Sequence, residues 1–168
     1  VMEMAQASGL PMLTEQERDP REATSFGTGE MILDALNRGF RDISIAIGGS
    51  ATNDGGIGCM RALGVRFLDD EGRELSGCGK DLIRIRKIDV SRMDVRVKKT
   101  RFTVMCDVTN PLCGPDGATY TFGKQKGGTR EVLEELEEGM ENYRELILQQ
   151  FGVDLNTVKG AGAAGGLG

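Results

Sequence analysis

The chain of 168 residues contains no histidine and no tryptophan. Without histidine it lacks the commonest general base and every Ser-His-Asp or Cys-His catalytic arrangement. The four cysteines form no CxxC pair, and cysteine's usual partner in mixed zinc sites is missing. We therefore expect reduced thiols, and any proton transfer must rely on Asp, Glu, Lys or Tyr.

Two further absences narrow the class of protein. No apolar run reaches the roughly 20 residues that a membrane helix needs, and no basic, apolar leader begins the chain. The net charge of -5 gives the chain no overall attraction for nucleic acid or anionic lipid. We expect a globular domain with neither nucleic acid nor a membrane as its partner.

Helical and extended patterns alternate along the chain, which predicts an α/β fold. We predict helices from Ser25 or Thr28 to Gly39 and over residues 55–63, and a long amphipathic helix after Thr129. Strands are predicted over residues 42–47, 65–68 and 102–106. The prediction is one compact domain over residues 1–168, with a mixed or mostly parallel sheet flanked by helices.

Two segments are less regular. Residues 84–101 carry eight basic side chains, and their partial alternation predicts a strand or hairpin with one solvated face. Residues 107–128 show no periodic pattern and are predicted as a long loop. The glutamates of the last helix are expected on its solvent-facing side.

The most informative segment is ISIAIGGSATNDGG over residues 43–56. An apolar, β-branched run ends there in glycines, hydroxyls and one carboxylate before a helical pattern begins. At the carboxyl end of a buried strand, such a loop can turn backbone N–H groups toward an anion. This loop is therefore a candidate ligand site.

A second strand ends in a similar way, because CDVTNP at residues 106–111 follows the strand predicted over residues 102–106. If the two strands are neighbours, Asp54 and Asp107 face one cleft, where one could hold Mg²⁺ and the other could accept a proton. The alternative is that Asp54 and Asn110 only cap a helix and a turn.

Of the familiar phosphate-binding patterns, the chain carries at most a weak match. No GxxxxGK[ST] motif occurs, which excludes a standard P-loop. Residues 160–165 fit GxGxxG, but no convincing strand precedes them. We interpret them as a closely packed loop or helix start, with a phosphate contact as the alternative. Lys126 or Lys124, in FGKQKGG at residues 122–128, could neutralise a phosphate, although a surface lysine is the common alternative.

The motifs together resemble the bacterial-type glycerate kinases of the first class. The resemblance covers essentially the whole chain and rests on RDP with TSFGTGE at residues 18–30, GGSATNDGG at 48–56, CDVTNPL at 106–112 and GAGAAGG at 160–166. It implies a cytoplasmic enzyme that uses ATP and Mg²⁺ to phosphorylate a hydroxyl of D-glycerate. Members of that family are more than twice as long and have two α/β domains.

The resemblance therefore implies that this chain is an internal piece, the second and inserted domain, and that the first domain is missing. It also assigns roles to particular residues. Asp54 and Asp107 would be the base and the metal ligand, in an order left open. Oxygens of glycerate or phosphate would be oriented by Ser50, Thr52, Asn53 and Thr109, and anionic groups would pair with Arg18, Arg21 or Lys126. The chain departs from the family at Lys124, where proline is usual.

Two other functions stay open at this point. The domain could be a non-catalytic binding module for an anionic small molecule or a nucleotide. It could also be a doubly wound nucleotide-dependent enzyme such as a dehydrogenase, although the lack of a strand-linked GxGxxG and of histidine counts against that.

Overall fold

The computed structural model describes all 168 residues, and its strands form two separate sheets. In chain order the strands are β1 (Met2–Glu3), β2 (Asp42–Ala46), β3 (Arg66–Leu68), β4 (Lys87–Asp89) and β5 (Arg101–Met105). Strands β1, β2 and β5 form a parallel sheet in that order, and β3 pairs antiparallel with β4. The prediction of an α/β fold with a mostly parallel sheet is confirmed.

Five α-helices accompany the sheets. They are α1 (Ala5–Ser8), α2 (Phe26–Asn37), α3 (Ile57–Ala62), α4 (Ala118–Phe122) and α5 (Arg130–Phe151). Helix α5 begins where the sequence predicts, since the Thr129 hydroxyl accepts the N–H of Val132, and it ends at Gly152 with a left-handed φ of 71°. No helix combines the length and the hydrophobicity that a membrane span requires.

The sheet and the helices enclose two apolar clusters. One lies beside the parallel sheet, where the alternation along β2 buries Ile43 and Ile45 against Ile32 and Leu36, which lie four residues apart on α2. The other joins the antiparallel pair to helix α5. At its centre the Phe67 and Tyr143 rings meet edge to face with centroids 6.3 Å apart.

The basic stretch 84–101, predicted as a strand or hairpin, contains the strand β4, which pairs with β3 and forms no hairpin within the stretch, and a 3-10 turn at Val97–Lys99 separates β4 from β5. Two other sequence predictions need correction. The predicted loop over residues 107–128 contains α4 and a 3-10 turn at Lys124–Lys126, both too short to give a periodic pattern. Glu137 of α5 is buried, contrary to the expected solvent-facing position, and its carboxylate accepts the N–H of Gly114 at 2.6 Å.

Candidate functional site

The carboxyl ends of β2 and β5 open into one cleft with a volume of about 350 Å³. The two strands are parallel neighbours, with Ile45 opposite Val104 and Ala46 opposite Met105, so the loops that follow them start side by side. Ligands of open parallel sheets bind at this edge. The cleft is lined by Leu10, Ile47, Gly48, Gly49, Ser50, Met105, Cys106, Asp107, Val108, Phe122, Gln125, Lys126, Ala163 and Ala164.

One wall of the cleft is the turn that follows β2. Gly48 and Gly49 are exposed, and Gly49 has a left-handed φ of 73°, which glycine adopts without strain. The Gly49 carbonyl accepts the N–H of Leu10 at 2.8 Å, and the Ala51 N–H donates to Ser8 at 2.9 Å. The N–H groups of residues 48, 49 and 50 donate no hydrogen bond within the chain.

Lys126 contacts the same wall, although it lies 76 residues after Ser50 in the sequence. Its side chain is buried, and Nζ donates to Ser50 Oγ at 2.8 Å and to the Thr52 carbonyl at 2.6 Å. Burial lowers the pKa of Lys126 to about 8, and the charge of Asp54 opposes that shift. The alternative of an ordinary surface lysine is therefore wrong for Lys126, whereas Lys124 is exposed and does not line the cleft.

The backbone around Lys126 explains why its side chain points inward. The 3-10 turn Lys124–Lys126 ends at Gly127, which has a left-handed φ of 96°. A Cβ at Gly127 would lie 2.3 Å from the Arg18 carbonyl oxygen, so only glycine allows this close contact. The FGKQKGG segment thus directs one of its two lysines into the protein.

Asp107 lies on the other side of the cleft, directly after β5. Its side chain is exposed, and it lines the cleft beside Cys106 and Val108. The Cys106 thiol donates to the Val108 carbonyl at 3.3 Å. Asp107 itself forms no salt bridge or hydrogen bond through its carboxylate, which is therefore free to accept a proton or to bind a cation.

Asp54 occupies a different environment, although it also follows β2. It is completely buried: Oδ2 accepts the Ser25 N–H at 2.7 Å, the Ser25 hydroxyl at 2.8 Å and the Gly58 N–H at 3.3 Å, and Oδ1 accepts the Gly56 N–H at 3.1 Å. Burial raises the pKa of Asp54, and these donors oppose that rise.

The expectation that Asp54 and Asp107 face one cleft is therefore wrong for Asp54. Seven residues separate Asp54 from the end of β2, and they turn its side chain under the start of α3. This is the capping role that the sequence left open. The assignment of a catalytic role to Asp54 stays a prediction.

Thr52 and Asn53 are buried below the cleft. The Thr52 carbonyl accepts from Lys126, while its hydroxyl has no hydrogen-bond partner. The Asn53 side-chain amide donates to the Thr119 hydroxyl at 3.1 Å, and its Oδ1 has no partner. The Thr52 carbonyl and the Asn53 side chain thus link the glycine-rich loop to residues from the second half of the chain, and contact of Thr52 and Asn53 with a ligand stays a prediction.

Three further predicted site residues lie outside the cleft lining. Arg21 pairs with Asp19 at 2.8 Å and has its guanidinium engaged there. Arg18 keeps a buried Nε without a partner beside Gly127, and Thr109 is exposed in the loop after β5. Of the predicted set, the structure brings Ser50, Asp107 and Lys126 together at the cleft.

The GxGxxG match is a closely packed turn, as its sequence context predicts. A Cβ at Gly162 would lie 2.1 Å from the Pro111 carbonyl oxygen, and one at Gly165 would lie 2.0 Å from that of Thr52. The Gly165 carbonyl accepts the Gly55 N–H at 2.8 Å. The segment joins the loops that follow β2 and β5, and Ala163 and Ala164 line the floor of the cleft.

Sequence reasoning missed Gln125, which lines the cleft, and Thr119, which holds Asn53. Both lie in the segment predicted as a loop, where no periodicity marks an inward-facing side chain. A group of possible metal ligands, Cys113, Glu137 and Glu141, lies elsewhere. Burial raises the pKa of the Cys113 thiol and of the Glu137 carboxyl, which favours their protonated forms and disfavours a cation.

Comparisons with known proteins agree with one another. The family model described as "Glycerate kinase family" matches residues 1–168. A glycerate 2-kinase of Escherichia coli is 48% identical over 167 residues, and a glycerate kinase of Halalkalibacterium halodurans is 44% identical over 168 residues. A crystal structure described as glycerate kinase 2 from Salmonella typhimurium LT2 superimposes with a TM-score of 0.95 at 47% identity.

These matches cover nearly all of this chain but only part of each relative. The aligned region is 99% of this chain and 44% of the Escherichia coli protein, and 100% of this chain and 44% of the Halalkalibacterium protein. For the Salmonella structure the shares are 98% and 44%. The chain thus spans less than half the length of the relatives it matches.

Proposed function

We propose, because the chain belongs to the glycerate kinase family, that it forms one half of the active site of an ATP-dependent kinase acting on D-glycerate. The reaction would transfer the γ-phosphoryl group of ATP to a hydroxyl of glycerate and give phosphoglycerate and ADP. Asp107, Lys126 and the turn of residues 48–50 would form this half of the site. We place the enzyme in the cytoplasm, as the family resemblance implies.

The observation that carries this proposal is the cleft where β2 and β5 end. It presents a free carboxylate at Asp107, a buried ammonium at Lys126 and three unused backbone N–H groups at residues 48–50. A kinase site needs cationic and N–H groups that hold anionic oxygens, together with a carboxylate that holds a metal or orients the attacking hydroxyl. These groups meet that requirement on both sides of one cleft.

Asp107 is the residue of the cleft that could hold the metal of a magnesium nucleotide. Mg²⁺ sites in kinases commonly use one or two carboxylates together with substrate phosphates and water, and Asp107 is the cleft carboxylate without another partner. When bound, Mg²⁺-ATP supplies the phosphoryl group and the metal charge. Asp54 does not fit as a ligand, because both its oxygens already accept N–H or O–H donors.

The protein's own contribution is then mainly positioning and charge stabilisation. Asp107 either binds the metal or accepts the proton of the substrate hydroxyl, and these two roles stay open. Lys126 neutralises negative charge, while the hydroxyl of Ser50 fixes the direction of its ammonium. Asp54 acts through the backbone, since it holds the start of α3 and therefore the loop that carries Ser50.

A binding module without chemistry of its own is the second candidate for the chain alone. The cleft contains one free carboxylate, whereas a metal ligand and a base together need two. The second group would come from the remaining part of the protein. We therefore expect the 168 residues to bind a ligand without turnover.

The surface around β5 supports the proposal that this chain is the second, inserted domain of a longer enzyme. Val104 and Met105 are 43% and 45% exposed, although parallel strands are normally covered on both faces. Beside them lies an apolar groove lined by Ile47, Phe102 and Leu167, among others. We propose that the first domain of the complete protein covers this surface.

The proposal is tested by Asp107→Asn in the whole protein that carries this chain. We expect kcat for D-glycerate phosphorylation to fall by at least about 100-fold, with the free energy of unfolding unchanged, because the carboxylate holds no structural partner. Asp116→Asn is the matched control, since Asp116 is exposed and lies outside the cleft lining. Wild-type turnover by the Asp107 variant would contradict the assignment.

A further inference from the structure

The ammonium of Lys126 is buried, and the one negative charge that acts on it, that of Asp54, lies beyond salt-bridge distance. Its two acceptors, Ser50 Oγ and the Thr52 carbonyl, are both uncharged, and it forms no salt bridge. An ammonium has three N–H donors, so one donor remains unused. Burying a charge costs free energy unless the charge is paired, and this lysine lines a cleft that a ligand can enter.

The neighbouring backbone offers donors of the same kind. The N–H groups of Gly48, Gly49 and Ser50 form no hydrogen bond within the chain. A Cβ added at Gly48 would meet no atom within 4 Å, so the space beside this turn is open. Consecutive unpaired N–H groups in a glycine turn are a common way to bind an anion.

Ser50 connects the two groups of donors, the Lys126 ammonium and the N–H groups of residues 48–50. Its hydroxyl accepts from Lys126, and its N–H continues the row that begins at Gly48. The ammonium and the row of N–H groups therefore lie on one wall of the cleft. The free carboxylate of Asp107, which follows the neighbouring strand β5, lies on the other side. An anion in the cleft is attracted to the first wall and repelled by Asp107.

We propose that Lys126 and the N–H groups of residues 48–50 form an oxyanion site that fixes which end of the ligand faces which wall. The inference rests on the proposed function and names the part of the ligand that this wall holds. Two groups share the required chemistry: the carboxylate of glycerate and a phosphate group of the nucleotide. In either case the site keeps the anionic end away from Asp107 and leaves that carboxylate to the metal or the reacting hydroxyl.

The test is ligand binding by the whole protein, measured by isothermal titration with Lys126→Met and with Lys124→Met as the matched control. Lys124 lies two residues away, is exposed and does not line the cleft. The probes are D-glycerate, uncharged glycerol, Mg²⁺-ATP and inorganic phosphate. We expect Lys126→Met to weaken binding of the occupying anion about 10- to 100-fold, the loss typical of a charged hydrogen bond.

The probe whose affinity falls in the Lys126 variant identifies the group that occupies the oxyanion site. A selective loss of D-glycerate affinity assigns the site to the carboxylate, and a selective loss of Mg²⁺-ATP affinity assigns it to a phosphate. Equal affinities of the Lys126 and Lys124 variants for every anion would overturn the inference. Glycerol binding as tight as that of D-glycerate would exclude the carboxylate as the occupant.

A measurement on the unmodified protein guards against a Lys126 variant that fails to fold. Amide signals of Gly48 and Gly49 in ¹⁵N-labelled protein should shift when the anion is added and stay in place with glycerol. Unchanged signals at saturating anion would overturn the inference. Shifts with inorganic phosphate, but no binding of D-glycerate or ATP, would uphold the oxyanion site and reject the kinase proposal.

Discussion

The Ser25 hydroxyl donates to Asp54 Oδ2 at 2.8 Å and accepts the N–H of Cys59 at 2.9 Å. Ser25 precedes helix α2, and Cys59 lies in the first turn of α3, so Asp54 and Ser25 join the starts of two helices in the core. The glycine-rich loop is therefore held from below by buried hydrogen bonds. Its upper surface is left free to form the cleft.

This arrangement predicts that Asp54→Asn lowers the free energy of unfolding. An amide places N–H donors where Asp54 now accepts donors, so a buried hydrogen bond is lost. We expect a loss of about 3 kcal/mol, measured by urea denaturation. The control is Asp70→Asn in an exposed turn, which should leave stability unchanged. Unchanged stability together with lost turnover would instead give Asp54 a chemical role.

The glycine-rich segment near the end of the chain predicts a second stability effect. Gly165 and Gly152 both have left-handed φ angles, 67° and 71°, but only Gly165 meets a neighbour, the Thr52 carbonyl oxygen, 2.0 Å from an added Cβ. Gly152→Ala should cost about 1 kcal/mol from backbone strain alone. Gly165→Ala should cost at least about 3 kcal/mol more.

Thermal or urea unfolding of the two alanine variants makes this comparison, because both carry the same added methyl group. Equal losses in the free energy of unfolding would mean that the backbone shifts to relieve the contact between the added methyl group and the Thr52 carbonyl. The loop that carries Ser50 would then not depend on this contact.

The environment of Lys126 predicts a pH dependence of anion affinity. Burial lowers the pKa of Lys126 to about 8, opposed by the charge of Asp54. The lysine is protonated below that pKa, so the affinity for the anion that Lys126 holds, D-glycerate or Mg²⁺-ATP, should be constant there and fall as pH rises, by up to about tenfold per pH unit. Lys124→Met should show the same profile, and Lys126→Met should show none.

Cys106 lines the same cleft, so Cys106→Ser serves as a further control variant. Calorimetric titrations between pH 7 and pH 10 make the measurement. Wild-type affinities for D-glycerate and for Mg²⁺-ATP that are both constant over that range would contradict the role of the Lys126 charge.

Much of the fold could be predicted from sequence because its elements carry strong local patterns. The alternation of Ile43 and Ile45 marks β2, and Thr129 and Gly152 mark the two ends of α5. The elements that were missed are short. Helix α4 has five residues and α1 has four, so neither repeats a pattern often enough to be recognised.

The candidate site could be predicted only in part. The sequence placed Ser50 and Asp107 at strand ends, and the pairing of β2 with β5 brings both loops to one cleft. It could not show that Asp54 turns inward or that Lys126 is buried, because those positions depend on contacts with Ser25 and Ser50, which are distant in sequence. Tertiary contacts of this kind leave no local pattern.

The most direct test of the central claim is identification of the reaction product. The whole protein that carries this chain is incubated with D-glycerate and Mg²⁺-ATP, and the mixture is followed by ³¹P NMR. The account predicts that a phosphoglycerate signal grows together with that of ADP, and only when D-glycerate is present. Folded protein that leaves ATP intact, or releases only inorganic phosphate, would contradict it.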